Sequence, residues 1–461
     1  MLFRDTIAAI ATPPGVGGVG LIRVSGSAAE EIACRLFRPS RPATRLASHR
    51  LIHGEIVAPE TGQVLDEVLV SFLKAPRSYT GEDTLEINCH GGPLLLRAVL
   101  EEVLRAGARP ADRGEFTKRA FLNDRLDLAQ AEAVHDVITA QTREGLAAAV
   151  ARLKGRLSER IDTLRGHIVD LLAGVEAAID FAAEEGVVEA PAEELEKVQP
   201  LIDALSALAA SYRRGRIARE GLGIVIAGRP NVGKSSLLNR LLGEKRAIVT
   251  DIPGTTRDFI EEAVDLDGIA VRLTDTAGIR PPESAVEKAG IALVWERLER
   301  ADAVLLLLDG SLPATAADRE LIEKIRNIPL IPVINKSDLV QQLDAAALKD
   351  LLPSDAFSPV RISAKYGKGI EDLQAAIRAL VPEIPAAEAA ELTVAHLRHK
   401  VALEKAVEGL VRAREGLRDR LPPELVALEI REALDALDEI AGRTTPEAVL
   451  DRIFAQFCIG K

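Results

Sequence analysis

Gly228-Arg229-Pro230-Asn231-Val232-Gly233-Lys234-Ser235 is a glycine-bracketed loop between an apolar run, Ile224–Ala227, and a helix-patterned segment, Leu237–Leu242. The spacing G-x-x-x-x-G-K-[ST] in a strand–loop–helix setting predicts a phosphate-binding loop. Glycines let the backbone wrap close to an anion and aim its N–H groups inward, and the start of the following helix adds partial positive charge. On this reading Asn231, Val232, Gly233, Lys234, Ser235 and Ser236 line a nucleotide. Lys234 reaches the terminal phosphates, and the Ser235 hydroxyl binds Mg²⁺.

Working outward, three further segments end apolar runs. Asp275-Thr276-Ala277-Gly278 closes Ile269–Thr274. Its carboxylate can hold Mg²⁺ through water, and its glycine N–H can meet a γ-phosphate. Asn335-Lys336-Ser337-Asp338 closes Leu330–Ile334. There Asp338 can accept both the N1–H and the exocyclic amine of guanine, while Asn335 faces O6 and N7. Adenine presents the wrong pattern and leaves the carboxylate unpaired. Ser363-Ala364-Lys365 ends a further run and offers the Ala364 N–H to O6. Four motifs in this order predict a guanine-nucleotide domain.

Thr250-Asp251-Ile252-Pro253-Gly254-Thr255-Thr256-Arg257-Asp258 reads as a switch loop, with Thr256 a second Mg²⁺ ligand. Its carbonyls and hydroxyls can also hold a monovalent cation near the phosphates. Ile279 stands where related sites carry a water-positioning glutamine. Glu287 is therefore the candidate general base, although a solvated helix charge is the plainer reading of that residue.

The surrounding chain is ordinary globular material. Its 461 residues include 58 Lys plus Arg and 70 Asp plus Glu, a net charge of −12, with 47% hydrophobic and 28% charged residues. That balance argues against disorder and against a general nucleic-acid coat, so any RNA contact needs a local basic patch. No apolar run approaches the ~18 residues of a membrane span. The first residues lack the pattern of a signal peptide. Cys34, Cys89 and Cys458 are widely separated, so neither a disulfide framework nor a structural zinc site is expected, and a reducing cytoplasm fits. Cys89-His90-Gly91-Gly92 reads as a tight turn, because no Gly-x-Ser-x-Gly accompanies it.

Composition shifts divide the chain into a multidomain α/β protein. Residues 1–120 mix short apolar runs with Pro and Gly turn signals and read as α+β; Glu67–Phe72 alternates like a strand and Pro93–Ala106 like a helix. Residues 121–219 are rich in Ala, Leu, Glu and Arg, with Ile161, Leu164, Ile168, Leu171 and Leu172 at helical spacing. Residues 220–382 alternate strand-like and helical runs, which predicts a parallel sheet flanked by helices. Residues 383–461 are helical again, so the α/β block is read as an insertion into an α-helical bundle.

The pattern resembles the MnmE (TrmE) family of tRNA-modification GTPases along essentially its whole length. Five segments carry the resemblance: Ala11-Thr12-Pro13-Pro14-Gly15 with Gly17-Gly18-Val19-Gly20; Tyr79-Thr80-Gly81-Glu82-Asp83; Gly114-Glu115-Phe116-Thr117 with Ala120-Phe121-Leu122-Asn123-Asp124; the nucleotide motifs; and Phe457-Cys458-Ile459-Gly460-Lys461. It implies a folate-binding-like N-terminal domain that dimerises, a helical bundle, and an inserted Ras-like P-loop GTPase domain. Asn231, Thr250, Ile252 and Thr255 match potassium-coordinating positions, Ser235 and Thr256 match Mg²⁺ ligands, and Glu287 matches the residue that activates water. Arg23, Glu86 and Lys461 match folate-site positions for a formyl- or methylene-tetrahydrofolate donor. Arg125 stands where some members carry lysine. Cys458 is read as a partly buried interface residue ahead of a nucleophile.

The resemblance implies a cytoplasmic, potassium-stimulated GTPase, homodimeric and without membrane contact, that works on tRNA with an FAD-dependent MnmG-type partner. Its chemistry would be an aminomethyl-type addition at carbon 5 of the wobble uridine. The rival reading is a ribosome-assembly GTPase switch, which has no need of the first 120 residues or the terminal Phe457–Lys461. A weaker third reading, a self-standing one-carbon transferase, lacks a local catalytic constellation. The basic clusters Arg213-Arg214-Gly215-Arg216 and Arg398-His399-Lys400 are expected on solvated faces and are candidates for tRNA contact.

Overall fold

Val68, Val70 and Phe72 are buried between more exposed neighbours, the period-two signature of a strand with one covered face. They belong to β5 (Val64–Leu73) of a seven-stranded sheet. Its order is β3 (Phe37–Pro39), β4 (Leu51–Val57), β5, β6 (Thr84–Gly91), β2 (Gly17–Ser25), β1 (Ile7–Ile10), β7 (Arg109–Pro110). All neighbours pair antiparallel except β1 and β7. The computed structural model describes residues 5–41, 46–185, 192–244, 261–266, 268–275, 298, 301–343, 348, 351–354, 356–381 and 393–461. The chain divides into two units: Met1–His135 with Leu153–Val198 and Glu408–Lys461, and Asp136–Arg152 with Gln199–Val407.

In the first unit, helices Ala29–Leu36 and Pro93–Arg105 lay Ile32, Leu36, Leu96, Val99 and Val103 on the covered sheet face, against Ile22, Val70, Phe72 and Ile87. The helix approaches the sheet closely at Gly20, where an added Cβ would lie 2.5 Å from the Leu96 side chain. The turn expected at Cys89–Gly92 is not there. Cys89 to Gly91 end β6 and Gly92 is the N-cap of the helix begun by Pro93, a residue preorganised for that first turn. Cys89 faces the core, and burial, aided by the Asp66 charge, pushes its thiol up to about 12, which leaves it unreactive at neutral pH.

The helical spacing read from the sequence is also present in this unit. Ile161, Leu164, Ile168 and Leu171 of the helix Arg156–Glu185 are buried. That helix packs against Pro423–Ala441, with Arg165 paired to Asp438 at 2.8 Å and Arg443 to Asp162 at 2.7 Å.

The second unit holds a six-stranded sheet ordered β13 (Val360–Arg361), β12 (Leu330–Asn335), β11 (Ala303–Asp309), β8 (Leu222–Ala227), β10 (Ile269–Asp275), β9 (Glu261–Leu266). Every residue of β11 and β12 is buried, because apolar clusters cover both faces. The sheet is not wholly parallel as expected: β9 runs antiparallel to β10. This edge strand, Glu261-Glu262-Ala263-Val264-Asp265-Leu266, mixes charged with apolar residues in place of a continuous apolar run. The dipeptide Asp267-Gly268 between the two strands is a hairpin signal that the sequence reading passed over.

The two basic clusters expected on solvated faces are solvated only in part: Arg213 is exposed, but other members are covered within this unit. His399 is fully buried and Arg216 is paired with Asp302. Gly215 packs so closely that an added Cβ would lie 2.1 Å from the Val394 carbonyl oxygen. These two segments pack on one another, so burial and ion pairing take up charge that the sequence reading had left to solvent or RNA.

Candidate functional site

The phosphate loop leaves β8 and enters the helix Lys234–Glu244, as the sequence required. Its glycines have separate reasons. A Cβ at Gly228 would sit 2.5 Å from the Leu307 oxygen of the neighbouring strand. At Gly233, where φ is +102°, it would sit 2.3 Å from the Asn335 amide nitrogen. Asn231 holds the left-handed conformation (φ 64°) that asparagine tolerates better than most residues. Lys234 donates from Nζ to the carbonyls of Gly228 and Arg229, each at 2.9 Å, so its ammonium lies over the loop itself. Ser235 and Ser236 are exposed at the start of the helix.

Arg229 has an anchor that the sequence reading missed. Its Nε donates at 2.7 Å to Oδ1 of buried Asp318, whose other oxygen accepts from the Thr315 backbone N–H and hydroxyl in a capping box of the helix Ala316–Ile325. The signal was Thr315-x-x-Asp318 ahead of an amphipathic run, legible as a helix start but not as a loop anchor.

The base-binding motifs converge on Asn335. Its amide donates to the Val232 carbonyl at 2.8 Å and its oxygen accepts the Ala364 N–H at 3.0 Å. The asparagine expected to face O6 and N7 is here a buried tie between the phosphate loop and the Ser363-Ala364-Lys365 loop. The same bond engages the Ala364 N–H expected for O6. Asp338 is exposed, and Ser363 donates to it at 2.6 Å. That hydroxyl, with Lys365 and Lys368 behind it, holds the Asp338 carboxyl below its ordinary range. A carboxylate that stays ionised and reaches solvent is ready for paired N–H donors. Lys336, at φ 62°, bonds Asp309 at 2.5 Å. Burial alone would raise the Asp309 carboxyl, but the bonds from Lys336 and Ser311 outweigh it and hold it low.

Asp275 ends β10. Its side chain lies outside the described residues, as do Thr250, Asp251, Ile252, Pro253, Gly254, Thr255, Thr256, Thr276, Ala277, Gly278 and Glu287.

A second cluster forms in the first unit. Arg23 pairs with Glu86 across β2 and β6 at 2.9 Å and donates to the Gly460 carbonyl at 3.2 Å. Its guanidinium lies 5.5 Å from the Tyr79 ring centroid and 5.8 Å from that of Phe116. Lys461 is close enough to feel these charges. Burial, then the Arg23 charge, lowers its ammonium, against a partial counterweight from Glu86 and Cys458. The terminal segment is held by Phe457, buried against Phe454 and His135, and by Gly460 at φ +95°, where a Cβ would meet the Ile10 oxygen at 2.7 Å. Cys458 itself is exposed.

Three of the four expected folate residues thus come together. The fourth, Arg125, donates to the Ser78 carbonyl at 3.2 Å and enters through the loop that carries Tyr79. That loop rests on fully buried Arg119, which bonds Glu82, Glu115 and Asp5. Glu115 and Arg119, four apart on one helix, were the available sequence signal. Among the described residues, no cluster of His, Cys, Asp or Glu could hold a metal ion, and no helix is long and apolar enough to cross a membrane.

Residues 128–458 match the MnmE helical domain, and residues 6–125 match the N-terminus of the GTP-binding protein TrmE. The tRNA modification GTPase MnmE of Syntrophus aciditrophicus (strain SB) is 53% identical over 460 residues, with 100% of both chains covered. That of Natranaerobius thermophilus is 44% identical over 458 residues, covering 99% of this chain and 100% of the relative. A crystal structure of Aquifex aeolicus Era bound to GDP.AlF4- is 28% identical over 41% of this chain and 66% of that one, with a TM-score of 0.29, too low to carry weight. Identity over the full length, with both family domains matched, sets the ribosome-assembly rival aside: the chain belongs to the MnmE family and is a GTP hydrolase of tRNA modification.

Proposed function

We propose that this GTPase is potassium-stimulated and cytoplasmic, dimerises, and works with an FAD-dependent MnmG-type partner. Together they add an aminomethyl-type (carboxymethylaminomethyl) group at carbon 5 of the wobble uridine of certain tRNAs. In this reading residues 1–120 bind folate and dimerise, 220–382 form the GTPase domain, and 121–219 with 383–461 form the helical domain.

Asp338 accepts the two guanine N–H donors, and the loops of Lys336 and of Ser363, Ala364 and Lys365 enclose the base. Backbone N–H groups from Asn231 to Ser236 receive the phosphates. Lys234 exchanges the Gly228 and Arg229 carbonyls for the terminal phosphate oxygens. Asp251, Pro253, Gly254, Asp275, Thr276, Ala277 and Gly278 complete the phosphate side. Glu287 holds the attacking water and takes its proton.

The donors fit hard cations. Exposed Ser235, with Thr256, suits Mg²⁺, and exposed Asn231, with Thr250, Ile252 and Thr255, suits K⁺. Each ion would supply positive charge against the oxygens of the transferring phosphoryl group. The Arg23 cluster fits a tetrahydrofolate. Glu86 can accept paired N–H donors of a pterin, Tyr79 and Phe116 offer apolar ring surface, and Arg23 and Lys461 suit carbonyl or carboxylate oxygens. Such a cofactor would supply the one-carbon unit.

The observation that carries the nucleotide half is Asn335, which joins the phosphate loop and the Ala364 loop beside an ionised Asp338. The test is mass spectrometry of tRNA nucleosides from a strain lacking the gene. Wild type should restore 5-aminomethyl-type uridines and Asp338→Ala should not; an unchanged profile in the deletion would remove the proposal. A Glu287→Ala protein that binds GTP and hydrolyses it at the wild-type rate would remove the water role. Equal rates in potassium and sodium would remove the cation role.

A further inference from the structure

Tyr79 lies in the loop between β5 and β6 and is not among the folate positions matched in the sequence. The helix Glu115–Leu122 and its exit hold this loop at several points. The Tyr79 hydroxyl shares a 2.8 Å hydrogen bond with the hydroxyl of Thr117, which is fully buried. On either side of Tyr79, the Thr80 carbonyl accepts from the Asn123 amide at 2.8 Å and the Ser78 carbonyl accepts from Arg125 Nε at 3.2 Å. At Gly81, where φ is +78°, an added Cβ would press on Asn123 and Arg125 at 3.1 and 3.2 Å, so the loop closes tightly on that exit.

What this clamp fixes is a ring against a cation. The Arg23 guanidinium lies over the Tyr79 ring, 5.5 Å from its centroid, while Arg23 also bonds Glu86 and the Gly460 carbonyl. A long arginine side chain has rotamer freedom to lose, and the face of a fixed ring restrains it further. Burial raises the Tyr79 phenol above its ordinary range, against smaller effects of the Thr117 bond and the Arg23 charge. The ring is therefore neutral, and it meets Arg23 with its π face and not as a phenolate. Each terminal nitrogen of Arg23 carries a pair of N–H groups and uses one on Glu86 or Gly460, so each has one left for a ligand oxygen.

We propose that Tyr79 is a positioning residue for Arg23 in the candidate folate site. Thr117 pins the ring, the ring holds the guanidinium, and the guanidinium presents its remaining N–H groups to the ligand. This inference rests on the folate site proposed above, and it assigns one face of the Tyr79 ring to Arg23 and not to the ligand.

The test titrates the full-length protein with 5-formyltetrahydrofolate. Tyr79→Phe keeps the ring and loses only the bond to Thr117, and should weaken the probe by no more than about 3-fold. Tyr79→Leu removes the π face and should weaken it by about 5- to 30-fold. A structural role would also suffer from leucine, so the deciding measurement replaces Tyr79 by phenylalanines of increasing ring fluorination. Fluorine keeps the shape of the ring and strips negative charge from its face. Affinity for the probe should fall stepwise across that series, by about 5-fold in total, while GTP affinity stays level. A level or rising series overturns the inference, because packing alone does not need an electron-rich face. Arg23→Gln separates the two levels. If wild type does not bind the probe, or Arg23→Gln binds it as tightly as wild type, the folate site itself is wrong and the inference falls with it. If Arg23→Gln weakens binding and the fluorinated series is level, only the Tyr79 inference fails.

Discussion

The nucleotide site and the Arg23 cluster are built by opposite strategies. The nucleotide motifs are contiguous runs, each placed at a strand end by the strand that precedes it. The Arg23 cluster draws residues from positions 23, 79, 86, 116, 460 and 461, and its charged members, Arg23, Glu86 and Lys461, are all far apart in sequence. A contiguous site tolerates slack in the rest of the fold, because the loop and its helix N-terminus travel together. A dispersed site depends on the network beneath it. The two should therefore respond differently to changes away from their own ligands.

The largest difference should come from Arg119. Arg119→Met removes a fully buried guanidinium and leaves Glu82 and Glu115 without their common partner, at a cost of about 3–5 kcal/mol. Thermal unfolding should show a loss in the N-terminal unit, and binding of a folate analogue should collapse. GTP hydrolysis by the molecules that remain folded should change little. Equal damage to both activities would break the contrast.

Next comes Gly460→Ala. It forces a Cβ against the Ile10 oxygen at positive φ, a strain of about 1–3 kcal/mol. The tail should lift, Arg23 should lose the Gly460 carbonyl, and tRNA modification should fall while GTP affinity stays at its wild-type value in a nucleotide titration.

The reciprocal test is smaller. Asp318→Asn keeps a capping oxygen for Thr315 but removes the charge that anchors Arg229, whose carbonyl also receives Lys234. A charged hydrogen bond of about 1–2 kcal/mol predicts a roughly 5- to 30-fold weaker GTP affinity by calorimetry, with folate-analogue binding unchanged.

The smallest effect concerns pH. Burial and the Arg23 charge lower the Lys461 ammonium, so it loses its proton at a pH below the ordinary lysine range. Binding of an anionic folate analogue that uses this charge should weaken as pH rises, beginning below that range, and Lys461→Gln should flatten the profile. A wild-type profile that stays level up to the ordinary lysine range would separate Lys461 from the ligand.

Much of the second unit was legible in the sequence because a parallel strand buried on both faces must be a continuous apolar run. Ala303–Asp309 and Leu330–Asn335 announce themselves in this way, and the motifs hang from their ends. Glu261–Leu266 was missed because an edge strand carries charge, although Asp267-Gly268 marked the hairpin. His399 and Arg216 were misjudged because charge along a helix says nothing of which neighbour covers it.

By itself the sequence determined the nucleotide loop, the order of its companion motifs, the helical and α/β segments, and the family. These are local properties, set by spacing and periodicity over a few residues. Tertiary structure alone decided that Asn335 ties two loops, that Asp318 anchors Arg229, that Arg240 clamps Ala364 and Lys365, and that the Gly460 carbonyl meets Arg23. Each of these is a hydrogen bond or ion pair between residues far apart in sequence. Its worth depends on burial and on the alternatives water would offer, and neither is written in the order of the residues.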